Sequence, residues 1–266
     1  MEDEQTIFVD EFSVSSTFVE IRANNSVLGT ATGFTYEMDG RSYFVTNWHV
    51  VTGWHPIKDV PLDPSGLVPD KLRVRFWAKE NLGEAIWLEI ELLGSDSRSK
   101  WFEHPIFQRE VDVVTLEIRL PPEAEDLPIN DIPMTKDYKV EVGQEVFILG
   151  YPFGLEWGGF PIWKRGSVAS EPDIDMDRKP YLFVDAASRQ GMSGSPTIFK
   201  DRRPVTILHA DCRVERFFTG FIGVYSGREG VSEDESKMQL GRVWKKIVID
   251  EIIHSRVRGK PGCEIH

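Results

Sequence analysis

The chain has 266 residues, 41% hydrophobic and 28% charged, which is long enough to bury a sizeable core without disulfides or metal ions. Its formal net charge of −12 argues against a nucleic-acid partner, which calls for clustered cations to displace counterions from phosphate. There are only two cysteines, Cys212 and Cys263, and no apolar window approaches the roughly 20 residues of a membrane span. A reducing compartment, read as cytoplasmic, and no membrane partner are therefore expected. The opening Met1-Glu2-Asp3-Glu4-Gln5 lacks the basic and apolar regions of a secretory leader, so none is expected.

Short alternating segments dominate the chain. Residues 17–22, 27–36 and 42–46 come first, followed by 71–76 and 88–92, which alternate strictly, and then 112–119. Period-two alternation marks half-buried antiparallel strands. The run Pro121-Pro122-Glu123-Ala124-Glu125-Asp126-Leu127-Pro128, with Pro133 beyond it, removes ladder donors and reads as a linker over 121–135. Strands resume at 145–149, 161–169, 181–185, 197–199, 205–209 and 218–225. About six strands thus fall on each side of the linker, an all-β pattern of sandwich or barrel type. Leu240, Val243, Trp244, Ile247, Val248 and Ile252 recur at three- and four-residue steps after Glu233, Asp234 and Glu235, predicting an amphipathic helix from about Met238. The tail from Arg256 is expected to fray. The expected organisation is an N-terminal half over 1–120, the linker over 121–135, a C-terminal half over 136–232, and a helix and tail over 233–266.

The segment most suggestive of chemistry is Gly191-Met192-Ser193-Gly194-Ser195-Pro196. Glycines on both sides let the backbone fold tightly around the serine, because glycine adopts positive φ at little steric cost. Such a turn can aim successive N–H groups into one pocket, and the N–H groups of Gly191 and Ser193 are assigned as oxyanion donors. A serine hydroxyl needs a base, and imidazole is the usual one. Of the six histidines, His49 stands out because it closes the apolar strand Tyr43-Phe44-Val45-Thr46. His55 and His104 adjoin prolines, His209 ends a strand, and His254 and His266 lie in the helix and tail. A third group must fix the imidazole tautomer. Asp112 opens an apolar strand in Val111-Asp112-Val113-Val114, with Glu110 and Asp96 as the nearest competitors. Taken alone, each of the three has an ordinary structural explanation. Together they run His…Asp…Ser with gaps of 63 and 81 residues, two in the first half and one in the second. That order differs from the Ser…Asp…His order of α/β-hydrolases, whose G-x-S-x-G elbow the sequence lacks.

Several motifs carry a family resemblance. Thr46-Asn47-Trp48-His49-Val50-Val51 resembles the T-N-x-H-V-V/I histidine motif of HtrA-type serine peptidases, a branch of the trypsin-like family. Val111-Asp112-Val113 followed by Leu116 resembles its T-D-x-A-x-L motif. Asp185-Ala186-Ala187 leading to Gly191-Met192-Ser193-Gly194-Ser195-Pro196 is similar in spacing to D-A-A-x-x-x-G-N-S-G-G-P. Gly150-Tyr151-Pro152-Phe153-Gly154-Leu155, Gly166-Ser167-Val168-Ala169-Ser170 and Gly29-Thr30-Ala31-Thr32-Gly33-Phe34 are similar to three further runs of that branch. The resemblance implies two antiparallel six-stranded Greek-key barrels with a C-terminal helix. It also implies a serine endopeptidase with the triad His49, Asp112 and Ser193 at the cleft between the barrels. A protein or peptide substrate is implied, with no metal and no cofactor; the oligomeric state is left open.

Substrate-binding residues follow from the same resemblance: Ala187, Ser188 and Gln190 around the primary pocket, and Tyr225, Ser226 and Gly227 on the strand that pairs with substrate backbone. Ala187 stands six before the nucleophile, at the implied base of the pocket, and favours uncharged, small-to-medium side chains. Arg189 and Arg228 would instead favour acidic substrates, unless they point to solvent. Departures from the family are also legible. Met192 stands where secreted trypsins carry the aspartate that pairs with a new N-terminus, so zymogen-style activation is not expected. Ser195 replaces a glycine, no PDZ domain is expected after the helix, and residues 200–217 read as an enlarged hairpin. The alternative reading is a silent or latent protein-binding module of the same fold.

Overall fold

A computed structural model describes residues 8–56, 58, 60–136, 138–154, 158–187, 189–207, 212–228 and 240–261. The Asp10 carboxylate accepts the Phe12 N–H at 3.1 Å and so caps a short helix, α1 (Glu11–Ser15). The chain continues through β1 (Ser16–Ala23), β2 (Ser26–Met38), β3 (Arg41–Thr46), the one-turn helix α2 (Trp48–Thr52), β4 (Lys71–Ala78), β5 (Asn81–Glu91), β6 (Trp101–Glu103) and β7 (Val114–Ile118). Its second part holds β8 (Glu145–Gly150), β9 (Ile162–Val168), β10 (Tyr181–Asp185), β11 (Pro196–Ile207), β12 (Cys212–Arg228) and β13 (Leu240–Lys245). The helix α3 (Ile247–Ser255) and the short β14 (Val257–Arg258) complete it. No helix among the described residues is long and apolar enough to cross a membrane.

The strands form two sheets. The first runs β14-β6-β7-β3-β2-β1-β4-β5, and the second closes on itself as a six-stranded barrel, β10-β13-β12-β11-β8-β9. Each has its own core. Val19, Ala31, Phe44, Leu72, Val74 and Leu116 fill the first, and Val146, Ile148, Val168, Leu182, Val184 and Val243 fill the second. A third cluster joins the two, with Phe34 and Tyr36 of β2 packed against Ile198, Phe221 and Trp244 of the barrel and Val248, Ile249 and Ile252 of α3. Each fully buried aliphatic or phenyl side chain contributes about 1.5–3 kcal/mol. The cleft between the sheets is therefore floored by an apolar core rather than hinged on a loose strap.

Two expectations are corrected here. Residues 240–245, expected to begin the helix, are strand β13, paired with both β10 and β12. Val243 and Trp244 fit a helical spacing over so short a span, but barrel closure consumes their backbone groups instead. Gly241 lies so close to the Tyr225 ring that a Cβ there would overlap it. Only 247–255 is helical, with Val248, Ile249, Ile252 and Ile253 buried. Glu233, Asp234, Glu235 and Met238 lie outside the described residues. The tail also does not fray at Arg256. Arg256 takes positive φ and reaches Glu117 at 2.7 Å, and β14 adds to the edge of β6, pairing Val257 with Glu103. The C-terminal segment thus leaves the barrel and ends on the first sheet. The expected strand 197–199 and the described part, 205–207, of the expected strand 205–209 prove to be parts of one strand, β11, which forms a long hairpin with β12; residues 208 and 209 lie outside the described residues.

Candidate active site

Register brings the acid and the base together. The pairing of β3 with β7 aligns Thr46 with Val114. Just beyond that end of the ladder lie His49, three residues after Thr46, and Asp112, two residues before Val114. His49 does not close the strand as expected. β3 ends at Thr46, and Asn47 leads the chain into α2, which Gly53 terminates at φ +71°. His49 Nδ1 lies 2.8 Å from Asp112 Oδ2, and the His49 backbone N–H donates to Asp112 Oδ1 at 3.0 Å. Asn47 Nδ2 donates to the Asp112 carbonyl at 2.6 Å. Asp112 is only 2% exposed, and a carboxylate so buried is costly unless its oxygens are hydrogen-bonded; both are. With its hydrogen on Nδ1 facing the acid, the imidazole leaves Nε2 as a bare acceptor.

A second buried carboxylate braces this helix from behind. Glu103 Oε1 accepts the indole N–H groups of Trp48 and Trp101, each at 3.0 Å, and the Lys260 N–H at 3.2 Å. Trp48 adjoins His49, so α2, β6 and the C-terminal segment share one oxygen. Sequence reasoning passed over Glu103; the available signal was a lone acid closing the aromatic run Trp101-Phe102-Glu103. The competitors lie elsewhere. Asp96 pairs with Arg98 and Glu110 with Lys179 on the surface, while His104 is buried against Glu251 at 2.8 Å, its Nδ1 accepting two backbone N–H groups. His209 and His266 lie outside the described residues.

The serine turn is held by backbone. Gly191 and Gly194 have φ of +94° and +82°. A Cβ on Gly191 would overlap the Tyr151 carbonyl oxygen, and one on Gly194 that of Thr32. Thr32, on β2 of the other sheet, donates its N–H to the Ser193 carbonyl and its hydroxyl to the Gly191 carbonyl, both at 2.8 Å. The Thr32 hydroxyl also accepts the Tyr151 N–H at 3.2 Å, and its carbonyl accepts the Thr46 hydroxyl at 2.9 Å. Gly194 and Tyr225 are joined by an N–H to carbonyl bond of 3.0 Å, and Met192 is buried in the barrel core. The N–H groups of Gly191 and Ser193 donate to no protein group among the described residues. Thr32 too escaped the sequence reading, since nothing in its own neighbourhood signals a partner 159 residues away.

His49 and Ser193 line one cavity of about 380 Å³, together with Gln190 and Gly191. No hydrogen bond joins these two described side chains. The other expected binding residues are dispersed. Ala187 is half-buried in a separate shallow depression beside Gly143, Arg165 and Asp185. The Tyr225 ring is wholly buried in the barrel core, Ser226 Oγ accepts the Trp244 indole N–H at 3.0 Å, and Gly227 is half-buried with φ +100°. Arg189 is exposed; Ser188 and the Arg228 side chain lie outside the described residues. Among the described residues no three His, Cys, Asp or Glu side chains gather to hold a metal ion.

The family model of the trypsin-like peptidase domain matches residues 31–207, two-thirds of the chain and a span that includes His49, Asp112 and Ser193. The chain belongs to the trypsin-like peptidase family. The peptidase is similar in fold to the serine endoprotease from Yersinia pestis, with a TM-score of 0.53 and 16% identity over 94% of this chain and 67% of that one. Rv3671c from M. tuberculosis, in an inactive mutant form, matches with a TM-score of 0.45 and 19% identity over 92% of this chain and 87% of that one. No curated protein matches.

Proposed function

We propose that this peptidase is a serine endopeptidase that cleaves peptide bonds through an acyl-enzyme. Ser193 Oγ attacks the scissile carbonyl carbon while His49 Nε2 takes the hydroxyl proton. The carbonyl oxygen becomes an oxyanion that accepts from the N–H groups of Gly191 and Ser193, and Asp112 stabilises the imidazolium. Collapse of this intermediate breaks the C–N bond, and the departing amine takes the proton from His49. Water then repeats the sequence on the ester, releasing the acid and regenerating Ser193.

The observation that carries this reading is the 2.8 Å couple between His49 and buried Asp112, with His49 lining a cavity that Ser193 and Gly191 also line. Two further features support it: the tautomer with hydrogen on Nδ1 leaves Nε2 to accept, and the N–H groups of Gly191 and Ser193 donate to no protein group among the described residues. The sparse cysteines support a reducing compartment, which we include in the proposal. The test is labelling with a serine-directed fluorophosphonate. Wild type should label and cleave peptides, and Ser193→Ala should do neither while keeping its circular dichroism. A folded wild type that resists the label would favour the binding-module alternative.

A further inference from the structure

The cavity shared by His49 and Ser193 has a composition the mechanism does not use. Apart from the reacting groups and Gln190, its walls come from the first sheet and from the segment after α2. Ile21 and Leu28 stand on β1 and β2, Val50 on α2, and Leu62, Leu67 and Pro69 on the segment between α2 and β4. None of Ala187, Tyr225, Ser226 or Gly227 reaches it. We infer that this cavity binds the leaving-group half of the substrate and selects peptides with a large aliphatic or aromatic side chain directly after the scissile bond. The inference rests on the reading of the site as a serine endopeptidase.

The direction follows from the chemistry. An acyl carbon bonded to Ser193 Oγ, with its oxygen toward the Gly191 N–H, has two substituents left to place. The nitrogen must lie within reach of His49 Nε2, which protonates it, and His49 is a wall of this cavity. The amine half therefore runs over the first sheet.

The selectivity follows from the walls. Leu62 and Leu67, which line the cavity with His49, keep 48% and 41% of their surface exposed. Burying that surface under a substrate side chain is favourable in proportion to apolar area. The wall they stand on is already built. Leu62 N–H donates to the Gly53 carbonyl at 2.7 Å, and His55 N–H to the Val60 carbonyl at 2.9 Å. A Cβ on Gly53 would come within 2.6 Å of Pro69 Cδ, so the two ends of the segment are packed together. Asp63, the one carboxylate on the wall, spends its charge on the Ser65 N–H at 2.9 Å and the Ser65 hydroxyl, and it disfavours acidic residues. At about 380 Å³ the space lies toward the lower end of the ~300–1,000 Å³ of ligand pockets, and suits one large side chain and its neighbour.

Digestion of a diverse peptide pool by the full chain, with the new amino termini sequenced by mass spectrometry, reads this position directly. Leu, Ile, Phe and Met should appear there about tenfold above their frequency in the pool, relative to Gly, Asp and Glu. In the double variant Leu62→Ser/Leu67→Ser that ratio should collapse toward one. A purely structural role for the two leucines would slow all cleavages alike and leave the ratio standing, which would overturn the assignment of the wall. Cleavage by wild type with no enrichment would overturn the inference while leaving the peptidase reading intact. Absence of both cleavage and fluorophosphonate labelling would remove the reading beneath it, and the inference with it.

Discussion

On the histidine side of the cleft, side chains hold side chains. Asp112 accepts twice from His49, Asn47 pins Asp112, and Glu103 pins the tryptophan beside the imidazole. On the serine side, backbone is held instead, with two glycines at positive φ, carbonyls taken up by Thr32, and a buried Met192 as anchor. The first arrangement stores its precision in the chemical identity of a few acids and amides. The second stores it in the absence of atoms. The two sides should therefore fail by different routes: the first when a functional group is exchanged at constant volume, the second when a single carbon is added.

The sharpest break in the comparison is Asp112→Asn, which changes no volume. An amide offers one acceptor oxygen, where His49 presents two N–H donors, and its NH2 faces one of them. The imidazole then favours the tautomer with hydrogen on Nε2, which cannot take a proton from Ser193. A fall of about 10⁴-fold in kcat is expected with the fold retained, as judged by steady-state kinetics beside circular dichroism. A rate near that of wild type would move the acid role away from Asp112.

Next in size is Gly194→Ala, the complementary change on the other side. Its Cβ meets the Thr32 carbonyl, and the positive φ adds strain of about 1–3 kcal/mol. The turn must shift, and misplacing one oxyanion donor costs about 10²–10³ in kcat. The diagnostic is the pH profile of the residual activity. It should keep its wild-type shape, because the His49–Asp112 couple is untouched, whereas Asp112→Asn should distort it. Identical distortion in both variants would mean that the two sides are not separable in this way.

The difference between the sides also explains what could be read in advance. His49, Asp112 and Ser193 could be singled out because three short patterns, each ordinary alone, run in the order His…Asp…Ser: a histidine just beyond an apolar strand, an acid just before one, and a serine flanked by glycines. Thr32 and Glu103 were not, since a threonine in an alternating strand looks the same whether or not its hydroxyl crosses to another sheet. Trp244 shows the limit for secondary structure. Its spacing from Val248 suits a helix, yet it pairs with Val224 and Tyr181 in a barrel that only long-range contacts could reveal. The cavity walls show the same limit: Ala187, reached from the serine motif, lies in a separate depression, and the wall beside His49 holds Leu62 and Leu67, in a segment that carries no motif.

The smallest expected effect concerns that same wall. His55 accepts the Lys58 N–H at 3.2 Å, and its ring is held below the ordinary histidine range, first by burial, then by the Lys58 ammonium and the neighbouring His49 ring, with Asp112 pulling partly back. A histidine whose folded value lies below its unfolded value of about 6.5 adds nothing to stability while both states are neutral. As pH falls below that value, the unfolded chain binds a proton that the folded chain refuses, and stability declines until the folded value is passed. His55→Gln abolishes this uptake. The drop in Tm between pH 7 and pH 5 should therefore be smaller in the variant than in wild type, with the two nearly equal at pH 7. An equal drop in both would show that the pressure on His55 is relieved on acidification, most simply by the loop turning it toward solvent. The wall beside His49 would then be less fixed than its hydrogen bonds make it.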